Sequence, residues 1–222
     1  TCRSCGATWS YFETGSVRCP ECGSPRSTGR GERSLHTDRD ATLDLTRVRE
    51  RAAADLDEAL DVAGEESMAY LRQRGFVRGG DLAPLDETYV LAQELRHAST
   101  LAGLDRDDDD RAYLLALLDG DRPSPTAVPA AHRESRGLAV AAAVRDYRDE
   151  LRTWLSENDC DGARDRIETL GAVVDRVRAL DGDVDPSAAE TLLETARSLG
   201  AHCRDGGDAD LATVDARLDD LR

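Results

Sequence analysis

A small β ribbon built on four cysteines, followed by an all-α helical bundle, is the fold class this sequence predicts, and three observations predict it. Cys2, Cys5, Cys19 and Cys22 form two C-x2-C pairs thirteen residues apart, each closed by a glycine, Gly6 and Gly23. From Leu45 onward, apolar residues step by three and four, the period of a helix with one buried face. Between the two lies a stretch, Ser27 to Ala41, rich in Gly, Ser, Arg and Thr and poor in apolar residues, which reads as a connection. The expected organisation is a ribbon over 1–34, a linker over 35–44 and an acidic all-α domain over 45–222.

Cysteines three apart at the tip of a tight turn aim both sulfurs inward, and two such knuckles facing each other make the closed tetrahedral four-sulfur site that Zn2+ prefers. Gly6 and Gly23 fit that geometry, because a residue without Cβ takes φ > 0 past the turn and lets backbone N–H groups support the sulfurs. One structural Zn2+ on Cys2, Cys5, Cys19 and Cys22 is therefore expected, rather than a pair of disulfides. The chain opens on Thr1-Cys2 with no initiator Met and no strand leading into the first knuckle, so several residues are expected to precede it. No charged-then-apolar leader and no apolar run of ~20 residues is visible, and the reading is cytoplasmic, with no membrane partner.

Within the ribbon, Ala7 to Phe12 alternate as a strand would, Thr14-Gly15 supplies a turn and Ser16 to Arg18 lead back to the second knuckle. Trp9, Tyr11 and Phe12 are three of the nine aromatic residues of the chain. A module this small cannot bury three large rings, so they form a candidate contact face. Arg26, Arg30 and Arg33 are the local basic cluster and the candidate phosphate contacts, if any nucleic acid binds.

The body is read helix by helix. Leu45, Val48, Ala52, Leu56 and Leu60 lie on one helix, extended by Met68 and Leu71 past a kink at Gly64. Phe76 to Leu85 is a loop. Asp86 caps a helix through Leu91, Leu95, Ala98 and Leu101. The aspartates of Asp105 to Asp110 read as a solvated acidic turn, since they lack the Gly and terminal Glu of a calcium loop. Tyr113, Leu114, Leu115, Leu117 and Leu118 mark a short helix apolar on every side. Pro129 sits at a helix start. Three stripes follow: Val140, Val144, Tyr147, Leu151 and Trp154; Ile167, Leu170, Val174 and Val177; Leu192, Ala196, Leu199 and Cys203. Asp185-Pro186-Ser187 signals the start of the last of these, and Leu211, Val214, Leu218 and Leu221 end the chain. Cys160 and Cys203 read as inert small residues.

Charge and composition narrow the setting. All 29 basic residues are arginine, against 45 acidic residues and a formal charge of −16. Residues 1–34 carry five arginines and three glutamates, a net +2, which leaves −18 on the rest. Such carboxylate density is a halophile's composition, in which molar salt quiets a self-repulsion that dilute buffer leaves unscreened. So acidic a body is a poor partner for nucleic acid. No Gly-rich phosphate loop, nucleophile elbow or H-E-x-x-H occurs, no small-molecule substrate is evident, and a closed four-sulfur site leaves no place for water. The expectation is a non-enzymatic protein.

The two knuckles also resemble those of rubredoxin, and the short spacer resembles the small domain attached to rubrerythrins, which would put iron at the site. A rubrerythrin bundle holds two irons through two Glu-x-x-His motifs, and only Glu94-Leu95-Arg96-His97 fits. More of the chain is similar to another group. Cys2-Arg3-Ser4-Cys5-Gly6 through Cys19-Pro20-Glu21-Cys22-Gly23, together with Arg74-Gly75-Phe76-Val77, Leu85-Asp86-Glu87-Thr88-Tyr89, Glu94-Leu95-Arg96-His97 and Arg136-Gly137-Leu138-Ala139-Val140, resembles uncharacterised haloarchaeal proteins. These pair a transcription-initiation-factor-B-type zinc ribbon with a C-terminal helical region. The resemblance implies zinc on the four cysteines and transfers no activity. The expected role is a protein-interaction adaptor, with a nucleic-acid-binding ribbon as the first alternative and a rubredoxin-like electron carrier as the second.

Overall fold

The computed structural model describes residues 1–30, 34–101, 105–206 and 211–222, and the side chains of all of these except Phe12 and Glu13. The chain is mostly helical. In order it forms α1 (Tyr11–Thr14), α2 (Thr46–Ala52), α3 (Leu56–Leu71), β1 (Val77–Arg78), β2 (Asp81–Leu82), α4 (Glu87–Ala98), α5 (Asp108–Leu118), α6 (Arg133–Trp154), α7 (Ala163–Ala179), α8 (Pro186–Asp205) and α9 (Leu211–Asp220).

The strand expected over Ala7 to Phe12 is replaced by the single turn α1. Local bonds outcompete strand pairing here. The Thr14 hydroxyl donates to the carbonyls of Ser10 and Ser16, each at 3.1 Å, and Gly15, at φ +61°, donates its N–H to the Tyr11 carbonyl at 2.8 Å. Among the described residues of this module, β pairing is limited to one antiparallel bridge, Cys2 with Ser27.

Two helices stand where one was expected between Leu45 and Leu71, and the break falls at 53–55 rather than at Gly64. Asp55, extended at φ −148°, accepts the Glu58 N–H on its side chain at 3.0 Å and so starts α3. Gly64 lies inside α3 as a packing residue, since a Cβ there would meet Ser99 Oγ at 2.4 Å. Met68 is more than a third exposed and does not extend the buried stripe. The stretch read as a loop after Gly75 contains a two-residue hairpin, with Val77 opposite Leu82 and Arg78 opposite Asp81. Gly79 and Gly80, at φ +62° and +98°, make its turn, the conformation that the twist of a tight hairpin demands.

Residues 35–43, read as linker, run along the body and are fastened to it. Thr37 and Asp38 donate backbone N–H groups to the Val77 carbonyl at 2.8 and 3.0 Å. Buried Asp38 pairs with Arg74 and accepts from the Gly75 N–H at 3.3 Å, while Glu150 on α6 accepts from Thr37 and from the Phe76 N–H. Leu35, Ala41 and Leu43 pack on the apolar interior.

α6 is the centre of the body, packing against α4, α7 and α8. It buries its expected stripe from Val140 to Trp154 in full. The larger apolar cluster gathers α6, α7, α8, α9 and the hairpin; the smaller gathers α2, α3, α5 and one face of α4. α4 joins the two. Tyr89, Val90 and Ala92 face the first cluster, and Leu91, Leu95 and Ala98 the second. α5 buries Tyr113, Leu114, Leu117 and Leu118 but leaves Leu115 exposed, so it is amphipathic rather than apolar all round. Cys160 and Cys203 are not inert thiols: they are joined as a disulfide, with Cα atoms 5.2 Å apart. Periodicity placed Cys203 correctly on the buried stripe, but gave no sign that the loop before α7 brings Cys160 against it.

Candidate metal centre

Two matching turns build the site. In the first, the Gly6 N–H donates to the Cys2 carbonyl at 3.1 Å and the Cys2 N–H to the Ala7 carbonyl at 2.7 Å; in the second, Gly23 donates to Cys19 at 2.9 Å and Cys19 to Ser24 at 3.0 Å. The same bonds at the same offsets make the two knuckles near copies. Gly6 and Gly23 have φ of +82° and +68°, so both do what glycine is needed for at this place. The knuckles are tied by Ser4 Oγ and Ser24 Oγ at 2.9 Å, and by backbone bonds from Arg3 to Arg26 and from Thr28 to Thr1, each at 2.9 Å.

The four sulfurs lie within 4.8 Å of one another, with Cys2 and Cys22 at 3.6 Å and Cys5 and Cys19 at 3.5 Å. Four thiolates at ~2.3 Å from a tetrahedral ion stand roughly 3.8 Å apart, so the cluster fits a single ion. Cys2 and Cys19 are buried, and Cys5 and Cys22 face outward. Without a cation, Cys2 is lowered to about 6, first by the Cys5 N–H on its sulfur and against burial, with the Ser4 N–H adding. Cys5 is pushed up to about 12 despite the Ala7 N–H, by the sulfurs of Cys22 and Cys19. A metal binding here displaces the protons that remain.

Of the aromatic residues, Trp9 is half-buried and donates its indole N–H to the Ser16 carbonyl at 3.1 Å, which closes the loop between the knuckles. Tyr11 is exposed, at 55%. Six residues on, Val17 is exposed at 59%, an apolar side chain that the sequence reading passed over. The Phe12 side chain lies outside the described residues. Arg26 and Arg30 are exposed, and Arg33 lies outside the described residues. Among the described residues, the four cysteines are the only group of three or more His, Cys, Asp or Glu side chains placed to share an ion.

Glu94 and His97 do not converge on a second site. Glu94 is buried to 1% exposure and binds Arg136, itself 1% exposed, at 2.5 Å, Arg122 at 2.9 Å, and the Tyr113 hydroxyl. Glu190 reaches Arg122 and Arg136 from α8, each at 3.2 Å. Burial, then the Glu94 charge, raises Tyr113 well above the ordinary range of a phenol. Glu87, though burial opposes it, is held below the usual carboxylate range by Arg197 and Arg122. Glu87, Arg122, Arg136 and Glu190 of this network line a 390 Å3 cavity together with Thr88 and Ser124. Nothing in the sequence set Arg136 apart from the solvated arginines, so it was missed. His97 is lowered to about 4, mainly by burial and then by Arg96.

A family model matches residues 1–218, which takes in both the knuckles and the helices. The chain belongs to DUF7117, a family of unknown function. No curated protein and no solved structure matches this DUF7117 member. The family match spans the four-cysteine module and the body together.

Proposed function

We propose that this DUF7117 member is a non-enzymatic adaptor of a haloarchaeal, cytoplasmic kind, in which one structural Zn2+ sets a small rigid module that touches a partner protein. The four-sulfur cluster carries the reading. Sulfur supplies all four positions of a tetrahedral ion, which leaves none for a reacting water. The contact surface is centred on Tyr11 and Val17, exposed on the same short module. Trp9 is half-buried and serves the module's own structure, since its indole closes the inter-knuckle loop. A charge argument favours protein over nucleic acid: four thiolates and one Zn2+ bring −2, which offsets the +2 of residues 1–34. A rubrerythrin-like reading, with a di-iron site in the bundle beside the cysteines, loses support because Glu94, the one Glu-x-x-His carboxylate, is already bound by Arg136, Arg122 and Tyr113.

The test begins with metal analysis of the purified full chain, where one zinc per chain and a colourless solution are expected and a red iron protein would refute the assignment. Cys19→Ser should abolish metal binding and unfold the module, since Zn2+ supplies ~10 to 16 kcal/mol in such sites, while the melting of the body stays in place. Tyr11→Ala should keep zinc content and the melting temperature and weaken a partner recovered in high salt by ~2 kcal/mol, the scale of an aromatic hot spot. Recovery of RNA or DNA instead of protein would move the assignment to a nucleic-acid-binding ribbon.

A further inference from the structure

The knuckles present four sulfurs placed for a metal, whereas the body of the same chain holds an oxidised pair, Cys160 and Cys203, 43 residues apart. Where thiols are kept reduced, a persisting disulfide is usually one that reacts. The surroundings of this one are asymmetric in the way exchange requires. Cys203 lies in the last turn of α8 and is buried. Cys160 lies in the non-helical segment between α6 and α7, is partly exposed, and lines a 360 Å3 cavity with Asn158, Asp159, Asp161, Arg164 and Asp165. The hydrogen bonds of the segment include Asn158 to the Trp154 carbonyl at 2.9 Å, Glu157 N–H to the same carbonyl at 3.1 Å, Ala163 N–H to the Cys160 carbonyl at 3.3 Å, Arg164 to the Leu155 carbonyl at 3.3 Å, and His202 with the Asp161 carbonyl at 3.1 Å.

We propose that Cys160–Cys203 is a thiol–disulfide exchange site, opened in the folded protein by a dithiol, which loosens the segment at 156–162 and leaves the metal-bound knuckles untouched. A thiolate of the dithiol attacks Cys160 Sγ, on the residue that lines the cavity and is the more exposed of the pair. The Cys160–Cys203 bond breaks, its electron pair leaves on Cys203 Sγ, and that thiolate takes a proton from water. The second thiol of the reductant loses its proton and attacks the mixed disulfide. It closes the reductant's own disulfide and releases Cys160 as a thiolate that is then protonated. Two electrons and two protons pass from the dithiol to the pair, and a disulfide oxidant runs the steps backward. Asp159, Asp161 and Asp165 outnumber Arg164 around the cavity, so an anionic thiol is repelled and a cationic one drawn in.

The experiment uses the metal-loaded full chain, treated briefly with dithiothreitol, alkylated without denaturant, digested and mapped by mass. Before reduction, Cys160 and Cys203 should come as one linked peptide. Afterwards Cys160 should carry the alkyl group, amide exchange at 156–163 should rise at least tenfold with the α6 core unchanged, and metal content should hold. Cysteamine should open the bond at least threefold faster than mercaptoethanesulfonate after correction for thiolate fraction. Free thiols at both positions before reduction, or a linked peptide that survives until the body unfolds, overturns the proposal, and equal rates for the two thiols overturn the route past the acidic rim. Labels on Cys2, Cys5, Cys19 or Cys22 report separately on the metal assignment, so failure of one reading is distinguished from failure of the other.

Discussion

Glu94 and Arg136 show what single residues contribute beyond the apolar pattern. Both are 1% exposed, and removing Glu94 takes from buried Arg136 its nearest carboxylate, leaving it Glu190 and the Pro123 carbonyl, each at 3.2 Å. Breaking such a pair costs about 3–5 kcal/mol, whereas replacing both ends by apolar residues of similar volume is often neutral. Glu94→Ala should therefore lower the melting temperature sharply, and Glu94→Met with Arg136→Met should recover most of the loss; an unchanged single variant would show that water enters. His97 gives the pH dependence a sign. Its folded pKa of about 4 lies below the ordinary value of 6.5, so the fold favours the neutral ring. That contribution is complete above 6.5 and is lost as pH falls toward 4. Melts across that window should fall less steeply for His97→Gln than for the natural chain. The gathering of the four cysteines was legible from their spacing, but a buried arginine among 29 arginines carries no local mark, since only the fold decides which one loses water.

Helix starts follow from short-range chemistry and were correspondingly easy to read. Asp86 accepts the Tyr89 N–H at 2.8 Å and Asp185 the Ser187 N–H at 2.8 Å, as their positions before apolar runs required. The acidic turn at 105–110 goes further, with Asp107 and Asp110 forming a reciprocal capping box at the start of α5. Helix breaks were harder. Gly64 carries the propensity of a breaker, yet it remains in α3 because its missing Cβ admits Ser99, and a tertiary contact overrides the local preference. Gly64→Ala should destabilise the body despite the better helix propensity of Ala, by roughly 1–3 kcal/mol as overpacking does. Ser99→Gly in the same chain should restore most of it. Equal stability of Gly64→Ala and the natural chain would mean that α3 and the turn after α4 separate without cost. The hairpin at 77–82 escaped the sequence because two-residue strands are too short to show alternation, although Gly79-Gly80 marked its turn.

At the scale of the whole molecule, the cysteine cluster and the mostly helical character of the chain were legible from spacing and period, whereas the fastening of 35–43 to the hairpin and α6 was not, because it depends on Asp38, Thr37 and Glu150 meeting across more than 30 residues of chain. The surface sets two electrostatic effects against each other, and their balance can be measured. Many exposed ion pairs, such as Arg51 with Glu58 and Arg222 with Asp219, are weakened by salt, but each is worth only ~0–1 kcal/mol. The buried cluster around Glu94 is screened far less. Against these stands the repulsion of −18 spread over residues 35–222, which molar salt removes because the screening length shrinks to ~3 Å. Repulsion should win. Circular dichroism melts of the full chain should rise by several degrees or more between 0.1 and 2 M KCl, with the metal-loaded module unaffected. A temperature that falls with added KCl would mean that the exposed pairs dominate and that the acidic surface serves something other than a life in salt.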